Sequence, residues 1–212
     1  MASTHVFSRE EEISNSITHG IGVILSIAAL VILIVFASLY GNVWHIVSFT
    51  LFGVTMLLLY TSSTLLHALK SGKAKDFFEI MDHSSIYFFI AGSYTPFLLV
   101  AVQNSTAWTL FAIVWGLAIG GTIFKAFFVK KFLFTSTLLY VVMGWLIVFV
   151  WNDLVAAIHP TSLILLIIGG LLYTVGAIFY IWKLFKHHHA VWHVFVLSAT
   201  VCHFFAVLYL LP

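Results

Sequence analysis

Long apolar runs, separated by short polar breaks, follow one another along almost the whole chain. Each run is about as long as the roughly 20 residues that an α-helix needs to cross a bilayer core. Only a helix satisfies its own backbone hydrogen bonds in hydrocarbon, so each run predicts a membrane-spanning helix. The predicted spans are Thr18–Leu39, Trp44–Leu69, Phe78–Val102, Ala107–Val129, Leu133–Trp151, Thr161–Leu184 and Ala190–Leu211.

The breaks between these spans contain residues that favour turns. They are Gly41-Asn42, Ser71-Gly72, Gln103-Asn104-Ser105 and the stretch Asn152–Ser162, which includes Pro160. No internal repeat or low-complexity segment interrupts the series, and no shift in composition marks a second domain. The pattern therefore predicts one all-α domain over residues 1–212, a bundle of seven transmembrane helices.

The composition supports a membrane protein. Apolar residues make up 62% of the chain and charged residues 8%, whereas soluble domains average roughly 45–50% and about 25%. With so few charges, a protein of this size could not cover a water-exposed surface. The net charge of +2 is small, and no basic cluster alternates with aromatic residues, so we expect no nucleic-acid partner.

The basic residues predict the orientation of the bundle. All nine lie in the N-terminal segment, or in or beside the connections that follow the second, fourth and sixth spans: Arg9, Lys70, Lys73, Lys75, Lys125, Lys130, Lys131, Lys183 and Lys186. Cytoplasmic loops carry the excess of lysine and arginine. We therefore expect a cytoplasmic N-terminus, with residues 1–17 as a cytoplasmic segment, and a C-terminus on the opposite, extracytoplasmic side.

Several polar residues fall at span ends that this orientation places on the cytoplasmic side. Ser63 and His67 close the second span, Asp82 lies near the start of the third, and His189 and His193 flank the start of the seventh. Ionisable residues inside membrane spans are costly and mark functional sites. The sequence thus predicts a common site at one membrane depth.

The residue types in this group suit a metal ion. His189 and His193 lie four positions apart, on one face of a helix, and with His67 they would supply three imidazoles and leave a fourth position open, as in catalytic zinc sites. Asp82 could then hold a water molecule and accept its proton, while Ser63 could position that water or a substrate oxygen.

A simpler interpretation competes with the metal site. Two of eleven histidines often fall four positions apart by chance, and the adjoining His187 and His188 fit interfacial polar residues. The spacing alone leaves both interpretations open. Other histidines are poor candidates: His203 lies about 15 Å deeper than His193 and suits an interhelical hydrogen bond, and His83 points about 100° away from Asp82.

A second group of polar residues leads into the first span. If this segment is helical, Glu12, Asn15 and His19 share one face and could orient the metal ligands from behind. The alternative is a polar helix start, in which acidic residues interact favourably with the helix dipole.

Together these motifs resemble the hemolysin III proteins, the bacterial branch of the progestin and adipoQ receptor family, to which the adiponectin receptors belong. The matching motifs are E-x-x-N-x-x-T-H-G at Glu12–Gly20, S-x-x-x-H at Ser63–His67, Asp82 in M-D-H-S-S-I-Y, and H-x-x-x-H at His189–His193 followed by His203-Phe204. They occur in order over nearly the whole chain.

The resemblance implies a seven-helix bundle with Zn²⁺ near the cytoplasmic face, bound by His67, His189 and His193, with Asp82 and Ser63 around the reacting water. It implies a multi-pass protein of the bacterial plasma membrane, hydrolysis of lipid amide or ester bonds as in ceramidase-like enzymes, and a role in membrane-lipid or fluidity homeostasis. Membrane lipids are thus the expected partners and substrates.

Two other functions are compatible with the same resemblance. The chain could be a non-enzymatic membrane sensor in which zinc is structural, or a cytolytic pore, as the name hemolysin implies. The sequence gives the pore little support, since no amphipathic charged stripe is available to line a channel. Hormone reception is not expected, because the long N-terminal extension of the animal receptors is missing.

Overall fold

The computed structural model describes residues 7–183 and 185–212, and all regular structure within those ranges is helical. The helices are α1 (Arg9–Tyr40), α2 (Val43–Ala68), α3 (Lys73–Pro96), α4 (Ser105–Phe128), α5 (Leu133–Trp145), α6 (Trp151–Ala157), α7 (Pro160–Ile181) and α8 (His188–Leu208). A π-helical turn, Phe97–Val102, extends α3, and a 3₁₀ turn, Leu146–Val150, joins α5 to α6. These segments form seven spans long and apolar enough to cross a membrane, which confirms the predicted fold class.

Helix α1 begins well before the predicted span, at Arg9. Ser8 and Glu11 cap its first turn reciprocally: the Ser8 hydroxyl accepts from the Glu11 amide, and the Glu11 carboxylate accepts from the Ser8 amide at 2.9 Å. Such a capping box satisfies amide groups that a helix start otherwise leaves unpaired. Residues 9–17 of the segment predicted to be cytoplasmic are therefore helical. Residues 1–6 of that segment lie outside the described part.

The predicted loop Asn152–Ser162 is wrong over most of its length. The chain stays helical to Ala157, and α7 already begins at Pro160. Proline is well suited to the first position of a helix because its missing N–H would be unpaired there in any case. Leu184, the predicted end of the sixth span, lies outside the described residues.

The α-helix of the fifth span is interrupted near its middle by the 3₁₀ turn Leu146–Val150. One side chain from α3 forms hydrogen bonds with the backbone groups at this interruption. The Tyr94 hydroxyl donates towards the Met143 and Gly144 carbonyls, at 2.9 and 2.7 Å, and accepts from the Ile147 amide at 2.8 Å. Unpaired backbone groups cost several kcal/mol in hydrocarbon. The hydroxyl of Tyr94 thus allows a non-α-helical turn at this depth.

The packing order brings the two ends of the chain together. Helix α2 packs between α1 and α3, α3 also packs on α4, and α7 lies against both α5 and α8. Helix α8 returns to pack on α1 and so closes the bundle. As a result, the start of α1, the end of α2 and the start of α8 meet at one end, which we call the basic end because Lys75, Lys130 and Lys186 form ion pairs there.

Candidate metal centre

Three histidines meet at the basic end of the bundle. His67 ends α2, while His189 and His193 lie in the first turns of α8. Each offers a ring nitrogen that lies within 4.8 Å of those of the other two. Their exposed fractions are 5%, 4% and 0%. The three residues that the sequence predicts as metal ligands are therefore brought together, in an arrangement that could hold a metal ion.

The contacts of His67 direct one of its nitrogens to the cluster. Its Nδ1 lies 2.6 Å from a carboxylate oxygen of Glu12, and the other oxygen of Glu12 accepts from Lys75 Nζ at 2.6 Å. Because a carboxylate only accepts hydrogen bonds, Nδ1 carries the proton. In the neutral ring, the form that can bind a metal, the lone pair of His67 is then on Nε2, which is buried and has no hydrogen-bond partner among the described residues.

His193 is held in the same tautomer by α1. Its Nδ1 lies 3.2 Å from the backbone carbonyl of Asn15, which can only accept, and 3.0 Å from the Thr18 hydroxyl. That hydroxyl already donates to backbone carbonyls of α1. The Nε2 lone pair of His193 is therefore free, and no residue of the described ranges bonds to it. Ligating histidines are typically oriented in this way, by a hydrogen bond on the other nitrogen.

The predicted catalytic side chains are adjacent to this cluster. Asp82 and Ser63 are 5% and 0% exposed. Asp82 lines one cavity together with His67 and His189, and Ser63 lies one turn before His67 on α2. A buried carboxyl group beside three imidazoles could take up and return a proton.

Two cavities of different character lie near the histidine cluster. A cavity of about 220 Å³ at the basic end is lined by polar residues that include Glu12, His67, Asp82 and His189. A second cavity, of about 170 Å³, lies within the bundle between α3, α5, α7 and α8 and is lined mainly by apolar side chains. Its inner wall includes Trp192, whose ring is 4.7 Å from that of His189.

The residues predicted to support the ligands from α1 differ in their contacts. Glu12 bonds to His67 through its side chain, as expected. Asn15 reaches His193 through its backbone carbonyl and not through its amide. His19 stacks on His193, with 3.4 Å between ring centroids and 14° between ring planes. Glu12, Asn15 and His19 thus all contact the cluster from α1.

The histidines that were set aside have other partners. His203 Nε2 lies 3.3 Å from the Leu166 carbonyl, the interhelical hydrogen bond that its depth predicts. His187 Nδ1 pairs with the Ser14 hydroxyl at 2.9 Å, and His188 Nδ1 with the Phe179 carbonyl at 3.1 Å. His83 lines the polar cavity beside Asp82.

Three contacts at the cluster were not predicted. The Phe7 ring packs on His189 at 4.8 Å, Thr18 binds His193, and Lys75 binds Glu12. Thr18 belongs to the motif at the start of α1, so the sequence contained a signal for it. Lys75 served only as evidence of orientation, and a phenylalanine ahead of the first span carried no signal at all.

Ion pairs surround the opening of the polar cavity. Lys130 lies 2.9 Å from Asp76 and 3.4 Å from the buried Glu79. Hydrogen bonding to the Asp76 carboxylate raises the pKa of Lys130 above its ordinary value. Lys186 pairs with Glu10 on the other side. Lys130 thus links the connection between α4 and α5 to α3, and Lys186 links the connection before α8 to α1.

A heptahelical membrane protein with a buried triple-histidine cluster at one end is the class that this fold and site define. The sequence model of the family described as "Haemolysin-III related" matches residues 7–204. The chain therefore belongs to the haemolysin-III related family, which confirms the family that its motifs predict.

Individual relatives agree over almost the full length. The chain is 56% identical over 204 residues to the Hemolysin-3 homolog of Bacillus subtilis (strain 168), covering 96% of both chains. It is 52% identical to the Hemolysin-3 of Bacillus cereus, covering 96% of this chain and 93% of that one. A more distant similarity, 28% over 206 residues, relates it to the human Monocyte to macrophage differentiation factor, covering 93% and 83%. The chain is thus a multi-pass membrane protein of this family.

Proposed function

We propose that this chain is a zinc-dependent hydrolase that cleaves amide or ester bonds of membrane lipids. The observation that supports this most directly is that the histidine cluster borders a polar cavity, while His19 and Trp192, which contact the cluster, line an apolar one. An amphiphilic substrate could place its acyl chain in the apolar cavity and its polar linkage at the histidines. Water could reach the same point through the polar cavity.

The donor set fits zinc. His67, His189 and His193 would hold the ion, and two of them present buried Nε2 lone pairs that no residue in the described ranges uses. Imidazole nitrogens suit zinc, and three protein ligands leave a position for chemistry. When bound, the ion would act as a Lewis acid and activate water for attack.

The chain's own residues would manage the proton. Asp82 would accept it from the attacking water, and Ser63 would hold that water in line with the substrate carbonyl carbon. As the new C–O bond forms and the bond to the amine or alcohol breaks, Asp82 would pass the proton to the leaving group. The polar cavity beside Asp82 gives water and the leaving group a route to the basic end.

Metal analysis of the detergent-purified protein tests the site. We expect about one zinc per chain, and we expect its loss, together with any lipid amidase or esterase activity, in the His189→Ala, His193→Ala double variant. Full zinc occupancy in that variant would remove the basis of the assignment. His203→Ala is the matched control, because it removes a buried imidazole of the same helix that bonds to Leu166 instead.

A non-enzymatic sensor with structural zinc is the alternative function. It is favoured by the bonds from α1 to both α2 and α8 through His67 and His193, since a metal there would lock these helices together. Asp82→Asn and Ser63→Ala separate the two proposals. If the chain is a hydrolase, these variants keep zinc but lose turnover and the cellular effect. If it is a sensor, they keep both zinc and the cellular effect.

A cytolytic pore receives less support. Two relatives carry the name Hemolysin-3, but the walls of the inner cavity are mainly apolar in the described part of the chain, unlike the charged rings of ion pores. Release of dye from liposomes by pure protein at low dose would favour the pore.

We further propose that the basic end faces the cytoplasm of a bacterial cell and that the enzyme adjusts membrane-lipid composition or fluidity. Lipidomics of cells with and without the protein tests this role. Accumulation of an amide- or ester-linked lipid in cells that lack the protein, with depletion of its free acid, is the expected result, and identical lipid profiles would contradict it.

A further inference from the structure

Two side chains of α1 have polar atoms that are buried and have no hydrogen-bond partner among residues 7–183 and 185–212. Asn15 is 0% exposed and both its amide atoms are unpaired, and His19 is 1% exposed with both ring nitrogens unpaired. Almost all buried polar atoms in native proteins are paired. Four unpaired atoms within about one turn of a single helix therefore require an explanation.

Their location points to a ligand. The His19 ring lies flat against His193, which leaves the nitrogens at its edge available, and His19 is part of the lining of the apolar cavity. Asn15 lies one turn earlier on the same face of α1, and its carbonyl bonds to His193. Asp82, in contrast, lines the polar cavity. His19 thus lies where the apolar cavity approaches the histidine cluster, and Asn15 lies one turn away beside the same cluster.

The chemistry of these side chains limits what they could bind. An asparagine amide offers two donors and an acceptor, and a neutral imidazole offers one donor and one acceptor. Such a set complements a group that also both donates and accepts, such as an amide or a hydroxyl. A bare hydrocarbon chain would leave all four atoms unpaired.

We propose that Asn15 and His19 form a substrate-binding subsite that hydrogen-bonds the polar linkage of a lipid whose acyl chain occupies the apolar cavity. This assignment rests on the proposed lipid hydrolase. It gives both side chains a different role from Glu12, whose carboxylate bonds to a candidate ligand directly.

Stability distinguishes a binding role from a structural one. If Asn15 and His19 mainly hold the fold together, replacing them lowers the unfolding temperature. If they bind a ligand instead, their polar atoms are unpaired in the ligand-free protein. The apolar replacements of similar size, Asn15→Leu and His19→Phe, then remove unpaired polar atoms, so the unfolding temperature of the ligand-free protein stays the same or rises.

Binding is measured with an N-acyl ethanolamide whose acyl chain carries two bromine atoms, which quench the fluorescence of the cavity tryptophans, including Trp192. A brominated alkane of equal length is the reference probe. All proteins carry Asp82→Asn, so that turnover does not consume the amide. Ser26→Ala is the matched control, since Ser26 is a buried polar residue of α1 that lines neither cavity and whose hydroxyl donates to the Gly22 carbonyl.

We expect tighter binding of the amide than of the alkane, and about tenfold weaker amide binding in each α1 variant, the effect of one lost hydrogen bond. Alkane binding, zinc content and unfolding temperature should not fall, and the Ser26→Ala control should bind like its parent. Unchanged amide binding in both α1 variants overturns the subsite. Loss of zinc or a lowered unfolding temperature also overturns it, in favour of a structural role.

Turnover by the chain without the Asp82→Asn change is measured separately. A protein that binds the amide through Asn15 and His19 but hydrolyses neither amides nor esters would refute the proposed hydrolase, and the subsite would still stand as a lipid-binding site.

Discussion

Replacing Glu12 with glutamine removes the negative charge that links α1 to the histidine cluster while keeping the size of the side chain. The two carboxylate oxygens accept from His67 Nδ1 and Lys75 Nζ, both at 2.6 Å. A glutamine has only one accepting oxygen and no charge. One of the two hydrogen bonds must therefore be lost, and the remaining one is weaker because it is no longer assisted by charge.

The expected effect on zinc follows from the role of this carboxylate. Partners that orient a ligating histidine typically contribute 10- to 100-fold in metal affinity, which corresponds to about 1.4–2.7 kcal/mol of binding free energy. We therefore expect Glu12→Gln to bind zinc about 10- to 100-fold more weakly. Because zinc would stabilise the folded chain by RT ln(1 + [Zn]/Kd), the same weakening should also lower the thermal midpoint measured in excess zinc.

Competition with a chromophoric chelator in detergent measures the zinc affinity of each variant. Glu10→Gln is the matched control, since Glu10 lies on the same turn of α1, is largely exposed and pairs with Lys186. Exposed ion pairs contribute little to stability, and this one does not touch a candidate ligand. Wild-type affinity in Glu12→Gln, or an equal loss in Glu10→Gln, would refute the orienting role of Glu12.

Three further predictions concern the fold. Tyr94→Phe leaves three backbone groups of the broken fifth span without the hydroxyl that satisfies them, so we expect a loss of about 1–3 kcal/mol in thermal unfolding, which the exposed Tyr40→Phe should not show. Gly169→Ala places a methyl group against the His203 ring and should lower the free energy of unfolding by about 1–3 kcal/mol. Gly116→Ala, where an added Cβ meets nothing within 4 Å, should not change it. Equal effects of the two substitutions would contradict the packing of α7 on α8. A reporter fused to the C-terminus should be active only outside the cytoplasm, and cytoplasmic activity would contradict the predicted orientation.

The histidine cluster shows which features of the site can be predicted from the sequence. Span lengths and alternation place His67 and the start of α8 at the same end of the bundle, and the four-residue spacing puts His189 and His193 on one face. Those rules fix depth and direction, but not which helices are neighbours. The tertiary structure adds that α1 packs on α8. This packing allows Thr18 and the Asn15 carbonyl to orient His193.

The broken fifth span shows where the sequence gives no guidance. The predicted span Leu133–Trp151 is apolar throughout most of its length, so its pattern predicts a regular helix. The 3₁₀ turn exists because a tyrosine of another helix satisfies the backbone groups that the turn releases. A partner from a distant part of the chain, such as Tyr94, does not change the hydrophobic pattern of the fifth span, so that pattern cannot predict the turn.

By itself, the sequence determined that the chain crosses a membrane with seven helices, because hydrocarbon rejects unpaired backbone groups and the length of each apolar run then sets a span. It also determined the family, and it identified the residues that could hold a metal ion. Only the tertiary structure decided which nitrogen of His67 and His193 faces the cluster, and that a polar and an apolar cavity lie beside it. Tautomers and cavities depend on contacts between helices that are distant in sequence, and side-chain spacing within one helix does not determine those contacts.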